Sequence, residues 1–136
     1  MEMNGQLQRW SKIVALTALV GVIIASAGCA DMMTTSVTAP GVAAYSMGDL
    51  GTVENASMGR TWAAVQTAVN KLELREYKTM KDGLEARLEA KSGTDRTVVF
   101  ILRRLSDAST ELHIRIGTFG DEAYARQVLD AVNAAL

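Results

Sequence analysis

The chain has 136 residues, of which 49% are hydrophobic and 21% are charged, and its formal net charge at pH 7 is -1. This length suits one domain, and the near-neutral charge excludes a basic surface that would attract nucleic acid. One cysteine and one histidine are present, which excludes an intramolecular disulfide and a thiol-rich metal site. We therefore predict a single domain with no cofactor and no bound metal.

The N-terminal segment has the pattern of a cleaved signal peptide. Arg9 and Lys12 precede an uncharged apolar run, IVALTALVGVII, at residues 13–24. A run of about a dozen residues is shorter than the ~20 that a helix needs to cross a bilayer. We interpret residues 1–28 as a signal peptide, and a permanent transmembrane helix is the alternative.

Small residues join this apolar run to the single cysteine. The sequence Ala-Ser-Ala-Gly at residues 25–28 leads directly to Cys29, and together they resemble the lipobox of bacterial lipoproteins. The resemblance implies cleavage before Cys29 and the attachment of several acyl chains, which together anchor a protein stably. Ala30 is not the aspartate associated with inner-membrane retention, which favours the periplasmic face of the outer membrane, although Asp31 leaves the inner membrane open. The alternative is a secretory signal with a coincidental cysteine.

Residues 30–40 are small, polar and aperiodic, and they end in Pro40, the only proline of the chain. This composition predicts a flexible tether. We therefore divide the chain into a signal peptide (1–28), a lipidated cysteine with its tether (29–40) and a folded domain (41–136).

The domain begins with the pattern of a β-hairpin followed by a helix. Val42 to Tyr45 is β-prone, Gly48-Asp49 offers a turn, and residues 50–54 return as a second strand. Asn55 or Ser57 then caps a helix. Its apolar residues recur at helical spacing, and they are Trp62, Val65, Val69 and Leu72.

Four strands are predicted next. Residues 74–80 form the weakest candidate, and a turn at residues 81–83 closes it. In the second, Leu84, Ala86, Leu88 and Ala90 alternate with Glu85, Arg87, Glu89 and Lys91, so that one face is apolar. The third, at residues 97–103, is apolar on both faces, and therefore either Val98, Phe100 and Leu102 or Val99 and Ile101 lie away from the helices.

In the fourth strand Leu112, Ile114 and Ile116 point to one side, while Glu111, His113 and Arg115 point to the other. A corner follows at residues 117–120, in which we expect Phe119 to fill the edge of the core. Asp121 can cap a final helix, whose apolar residues are Tyr124, Val128, Leu129, Val132 and Leu136. The order β-β-α-β-β-β-β-α predicts an α+β fold with a single antiparallel sheet and two helices packed on one face.

Residues 114–123, with the sequence Ile-Arg-Ile-Gly-Thr-Phe-Gly-Asp-Glu-Ala, resemble a C-terminal motif of a family of small uncharacterised bacterial lipoproteins. The resemblance extends to the lipobox, the hairpin at residues 45–50, the helix with Trp62, the strand at residues 89–91 and the closing helix. The family is a domain of unknown function. The resemblance therefore implies the fold and the anchoring, and it implies no catalytic residue.

The sequence contains few candidates for catalytic chemistry. His113 lies on a polar strand face, and no nucleophile motif accompanies it. Glu85, Glu89 and Glu111 are carboxylates that share a predicted face, but arginines and a lysine alternate with them, which is typical of a solvated charge ladder. Asp121 and Glu122 suit a helix N-terminus, and cation binding there is the alternative.

We therefore expect a non-enzymatic lipoprotein of the cell envelope, attached to the membrane through Cys29. A sheet face near Val99, Ile101, His113 and Arg115 would bind another envelope protein or a second copy of the chain. For its apolar residues the alternative is that the tether, the first hairpin or a curled edge of the sheet covers them. The alternative is a small periplasmic hydrolase or ligand-binding enzyme that uses the charged sheet face.

Overall fold

The computed structural model describes residues 40–136, which form six strands and two helices. The elements are β1 (Ala44–Ser46), β2 (Asp49–Glu54), α1 (Met58–Lys71), β3 (Arg75–Lys81), β4 (Glu85–Lys91), β5 (Thr97–Arg104), β6 (Thr110–Ile116) and α2 (Glu122–Asn133). The predicted order and the α+β class are confirmed. The predicted signal peptide, Cys29 and most of the tether lie outside the described residues. Neither helix of the described part is long and apolar enough to span a bilayer.

The strands form one antiparallel sheet in the order β1-β2-β6-β5-β4-β3. Strands β3 to β6 form a meander, because short turns join them. Helix α1 carries the chain from β2 to the far edge of the sheet, where β3 begins. As a result β2 pairs with β6, and Asp49 lies opposite Arg115 although they are far apart in sequence.

The core lies between the sheet and the two helices. The alternate residues Leu88, Phe100, Leu112 and Ile114 are fully buried on the helix side of their strands. In β5, Val98, Phe100 and Leu102 are buried in this core, whereas Val99 and Ile101 are half-buried and outside it. The prediction that one apolar set of this strand points away from the helices is confirmed.

Both helices begin at side-chain caps. The hydroxyl oxygen of Ser57 accepts a hydrogen bond from the backbone N–H of Arg60 at 3.4 Å, so Ser57 and not Asn55 is the first cap. The carboxylate of Asp121 accepts from the backbone N–H of Tyr124 at 3.0 Å, as predicted for the second cap. These bonds satisfy amide groups that have no partner within the first turn.

Two expectations about apolar residues are wrong. Phe119 is 93% exposed and does not fill the edge of the core. Tyr45 packs there instead, close to Gly120, because the turn between β1 and β2 lies against the corner that contains Phe119. Leu84 is 69% exposed, since it belongs to the turn before β4 and not to the buried side of that strand.

Candidate functional site

The face of the sheet opposite the helices is the candidate site, and we call it the open face. It is formed by the residues that alternate with the core-facing ones in the four central strands. They include Asp49, Gly51 and Val53 of β2, Glu85, Arg87 and Glu89 of β4, Val99, Ile101 and Arg103 of β5, and Glu111, His113 and Arg115 of β6. Val99, Ile101, His113 and Arg115, the residues predicted to form an interaction face, all belong to it.

The two aliphatic residues that β5 contributes to the open face lie between charged neighbours on adjacent strands. Val99 pairs with Glu89 on one side and Arg115 on the other. Ile101 pairs in the same way with Arg87 and His113. Both aliphatic side chains are only half-buried. The centre of the open face is therefore a small apolar patch surrounded by polar groups, which is the arrangement of a protein interface with a dry centre and a wet rim.

The carboxylates of this face are engaged with basic groups. Glu89 accepts a hydrogen bond from Arg87 Nε at 2.8 Å and another from the Tyr77 hydroxyl at 2.9 Å. The bond from Arg87 is the main cause that holds the pKa of Glu89 below its usual value, and the bond from Tyr77 adds to it. Glu111 pairs with Arg103 at 3.3 Å. The predicted alternation of charges is therefore present in three dimensions.

His113 lies between two carboxylates. Its Nδ1 atom is 3.9 Å from Asp49 Oδ2, and its Nε2 atom is 3.4 Å from Glu111 Oε1. The other oxygen of Asp49, Oδ1, is buried and has no hydrogen-bond partner among residues 40–136. His113 therefore lies within reach of two acidic side chains, and the buried Oδ1 atom of Asp49 can accept a hydrogen bond from a donor that a ligand supplies.

A concavity of about 230 Å³ opens beside His113. It forms because Ala44 and Gly51, which pair with each other, have almost no side-chain volume. Its lining is Ala44, Ser46, Met47, Asp49, Gly51, His113 and Arg115. A second depression, of about 550 Å³, lies at the turn between β3 and β4 and includes Glu85 and Arg87.

The role of Asp49 in this site is not among the sequence predictions, which assign Gly48-Asp49 only to a turn. The small residues Ala44 and Gly51 within β-prone segments were the available signal, since small strand residues often mark the close approach of another group. The pairing of β2 with β6, which brings Asp49 to His113, cannot be read from a linear pattern.

The carboxylates of Asp121 and Glu122 are both engaged with other groups of the domain. The Asp121 carboxylate caps α2 and pairs with Arg96 at 2.6 Å. The N–H of Tyr124 and then Arg96 hold the pKa of Asp121 below its usual value. Glu122 pairs with Arg126 at 2.8 Å. Within residues 40–136 no three acidic, histidine or cysteine side chains are grouped to hold a metal ion.

Fold and site together define a small α+β protein whose sheet has one face covered by two helices and one open, charged face with an apolar centre. The chain belongs to the family described as "Protein of unknown function (DUF3568)", whose model matches residues 12–135. The predicted membership of a family of unknown function is therefore confirmed. No curated protein matches the chain.

Proposed function

We propose that this protein is a lipid-anchored protein of the bacterial cell envelope, and that its domain is a non-enzymatic binding module. Cys29 carries the acyl chains, and the outer membrane, periplasmic face, is the favoured location. The support for anchoring is the sequence from the apolar run to Cys29. The family match begins at residue 12 and so includes that segment.

The observation that carries the binding role is the apolar centre of the open face. Val99 and Ile101 are half-buried on a face that no helix of the domain covers. Each of these side chains would lose its remaining contact with water if a partner covered the face, and burial of aliphatic surface stabilises a complex. Arg115 is exposed beside them and offers a directional polar contact at the rim. The partner is another envelope protein or a second copy of this chain.

A hydrolase that uses the carboxylates of the open face receives less support from the geometry. A general acid needs a raised pKa, whereas Arg87 and Tyr77 lower the pKa of Glu89. Glu111 is paired with Arg103, which lies in register between Glu111 and Glu85. These pairs favour a structural charge ladder over a catalytic dyad.

Anchoring is tested first, by mass spectrometry of the protein extracted from membranes. We expect an N-terminus at Cys29 with acyl mass attached, and we expect a Cys29→Ser variant to leave the membrane fraction. A chain that begins elsewhere, or that lacks lipid, would contradict the anchoring.

The binding role is tested by cross-linking in intact cells, with a photoreactive residue in place of Ile101 and, as the control, in place of Phe119. Phe119 is an apolar residue that is 93% exposed and lies in the corner between β6 and α2, outside the open face. We expect one discrete cross-linked species from position 101 and none of that size from position 119. The species from position 101 should be lost when Val99→Thr is added. If position 101 yields no discrete species, the open face is not an interface.

A further inference from the structure

Three exposed aliphatic side chains lie at one end of the sheet, which we call the proximal end and define by Val42, Leu84 and Leu105. Their exposed fractions are 56%, 69% and 52%. They come from separate segments of the chain: Val42 precedes β1, Leu84 lies in the turn between β3 and β4, and Leu105 follows β5. Leu84 and Leu105 lie on adjoining turns, whereas Val42 lies beside β1, toward the other edge of the same end. Exposed aliphatic residues that adjoin one another from separate turns indicate a contact surface more strongly than scattered single residues do.

Backbone hydrogen bonds hold these segments at the same end of the sheet. The N–H of Arg104 donates to the carbonyl oxygen of Leu84 at 2.8 Å, so Leu84 and Leu105 lie on neighbouring turns. The N–H of Gly41 donates to the carbonyl oxygen of Val53 at 2.8 Å, close to the end of β2. Val53, Glu111, Arg103 and Glu85 form one row across the sheet. Gly41 and the turn of Leu84 therefore border the same end.

The proximal end is also where the preceding chain joins the domain. Eleven residues, 30–40, separate Cys29 from Gly41. Even fully extended they span no more than roughly 40 Å. A lipid anchor at Cys29 would thus keep the proximal end within that distance of the bilayer, where a weak apolar contact is strengthened by its high local concentration.

The opposite end of the sheet is a natural comparison, and we call it the distal end, defined by Met47 and Phe119. These side chains are 92% and 93% exposed, more than any of the proximal residues. The two residues belong to turns whose backbones are in contact, since Gly48, next to Met47, packs against the backbone of Phe119. Strand β2, which is six residues long, separates the two ends by about 17 Å. Exposed apolar surface alone would therefore favour lipid contact at the distal end. The attachment of the chain favours lipid contact at the proximal end, because residues 30–40 enter the domain there.

We propose that the proximal end rests on the lipid surface, with Leu84 and Leu105 in the interfacial layer of the bilayer. The proposal rests on the anchoring at Cys29 described above, and it adds the orientation of the domain. Apolar contact provides the attraction, because the nearby Arg104 and Arg103 are paired with Asp107 and Glu111. In this orientation the open face stands beside the membrane and stays available to a partner.

The test uses the full chain, purified from the membrane fraction and reconstituted into vesicles of phosphatidylethanolamine and phosphatidylglycerol that contain a spin-labelled lipid quencher. A polarity-sensitive fluorophore is attached to single cysteines introduced as Leu84→Cys or Leu105→Cys, and as Met47→Cys or Phe119→Cys for the matched controls. We expect a blue shift and strong quenching at positions 84 and 105, and the spectrum of a water-exposed dye at 47 and 119. Equal spectra at both ends, or a blue shift confined to the distal positions, would overturn the proposed orientation.

The same preparations distinguish a failure of the orientation from a failure of the anchoring. Mass spectrometry reports acylation of Cys29 independently of the fluorophore. If Cys29 is acylated and positions 84 and 105 remain water-exposed, only the orientation is wrong. If Cys29 carries no lipid, the fluorophore is attached at the same positions in the Cys29→Ser chain, and the labelled protein is mixed with vesicles. Binding through the proximal end should then be weakened about tenfold by Leu84→Ser, and no change would overturn lipid contact at this end.

Discussion

Gly48 and Gly120 are in backbone contact, although 72 residues separate them in sequence. A Cβ atom on Gly120 would overlap the Cα atom of Gly48 and lie 2.6 Å from its carbonyl oxygen. Both glycines have a positive φ, of 86° and 84° respectively. This contact fixes the first hairpin against the corner before α2, and it thereby shapes the wall of the concavity beside His113.

Substitution of Gly120 by alanine should destabilise the domain substantially. A left-handed conformation costs an alanine about 1–2 kcal/mol, and overlap with the Gly48 backbone should raise the total to about 2–5 kcal/mol. Gly117→Ala is the matched control, because Gly117 also has a positive φ, of 63°, but has open space around its Cβ position. Urea denaturation of the two variants measures the difference, and equal losses would contradict the close contact.

The neighbours Phe100 and Ile101 should respond very differently to truncation. Phe100 is fully buried between sheet and helices, so Phe100→Ala should lower the free energy of unfolding by about 3–5 kcal/mol. Ile101 is half-buried on the open face, and Ile101→Ala should cost about 1 kcal/mol. Thermal and chemical denaturation provide both values. A loss at Ile101 as large as that at Phe100 would mean that the open face is covered within the domain.

Asp121 should make the stability of the domain depend on pH in the acid range. The N–H of Tyr124, and then Arg96, lower the pKa of Asp121 in the folded state. Its contribution is therefore present above the ordinary pKa of an aspartate and is lost as the pH falls through the lower, folded-state pKa. We expect Asp121→Asn, which keeps a capping oxygen, to be less stable than the wild type at neutral pH.

The stability difference between this variant and the wild type should shrink as the pH is lowered. Urea denaturation of both proteins at a series of pH values measures it. In an Arg96→Gln background the convergence should be smaller, because the ion pair that helps to lower the pKa of Asp121 is absent. A difference that does not change with pH would assign the effect of Asp121→Asn to the cap geometry alone.

The hydroxyl of Tyr77 should titrate above the ordinary pKa of a tyrosine. The main cause is the hydrogen bond that the hydroxyl donates to the carboxylate of Glu89. Ionisation of Tyr77 would remove this bond. Glu89→Gln should therefore bring the pKa of Tyr77 closer to its ordinary value. Glu76→Gln is the control, because Glu76 instead accepts a hydrogen bond from Thr79. Titration of the tyrosine ring signals by NMR measures this, and a pKa of Tyr77 that is the same in all three proteins would contradict the bond.

Most of the secondary structure was predictable because strands and helices have different periods. In β4 and β6, apolar residues alternate with polar or charged ones, and this pattern indicates which side chains face the core. In β5 the pattern left two choices, since both faces are apolar. The helices pack against Phe100 and its neighbours of the same face, and this packing decides that Val99 and Ile101 remain half-exposed.

The errors at Phe119 and Leu84 share one cause. Both are apolar residues at the border of a regular element. At Leu84 the alternating pattern extends one residue beyond the start of β4, and at Phe119 a corner residue is expected to pack inward. Their exposure depends on which other segment reaches the same place. At the corner of Phe119 it is Tyr45, delivered by a hairpin more than 70 residues earlier in the chain, that packs against the core.

The sequence by itself determined the order of the elements, the α+β class, the helix cap at Asp121 and the residues that β4 and β6 place on the open face, because each depends on local patterns of a few residues. Only the tertiary structure decided the strand order, in which β2 pairs with β6. That pairing brings Asp49 to His113 and forms the concavity over Gly51. Contacts between segments far apart in the chain leave no periodic trace in the sequence, since they are chosen by the packing of the whole domain.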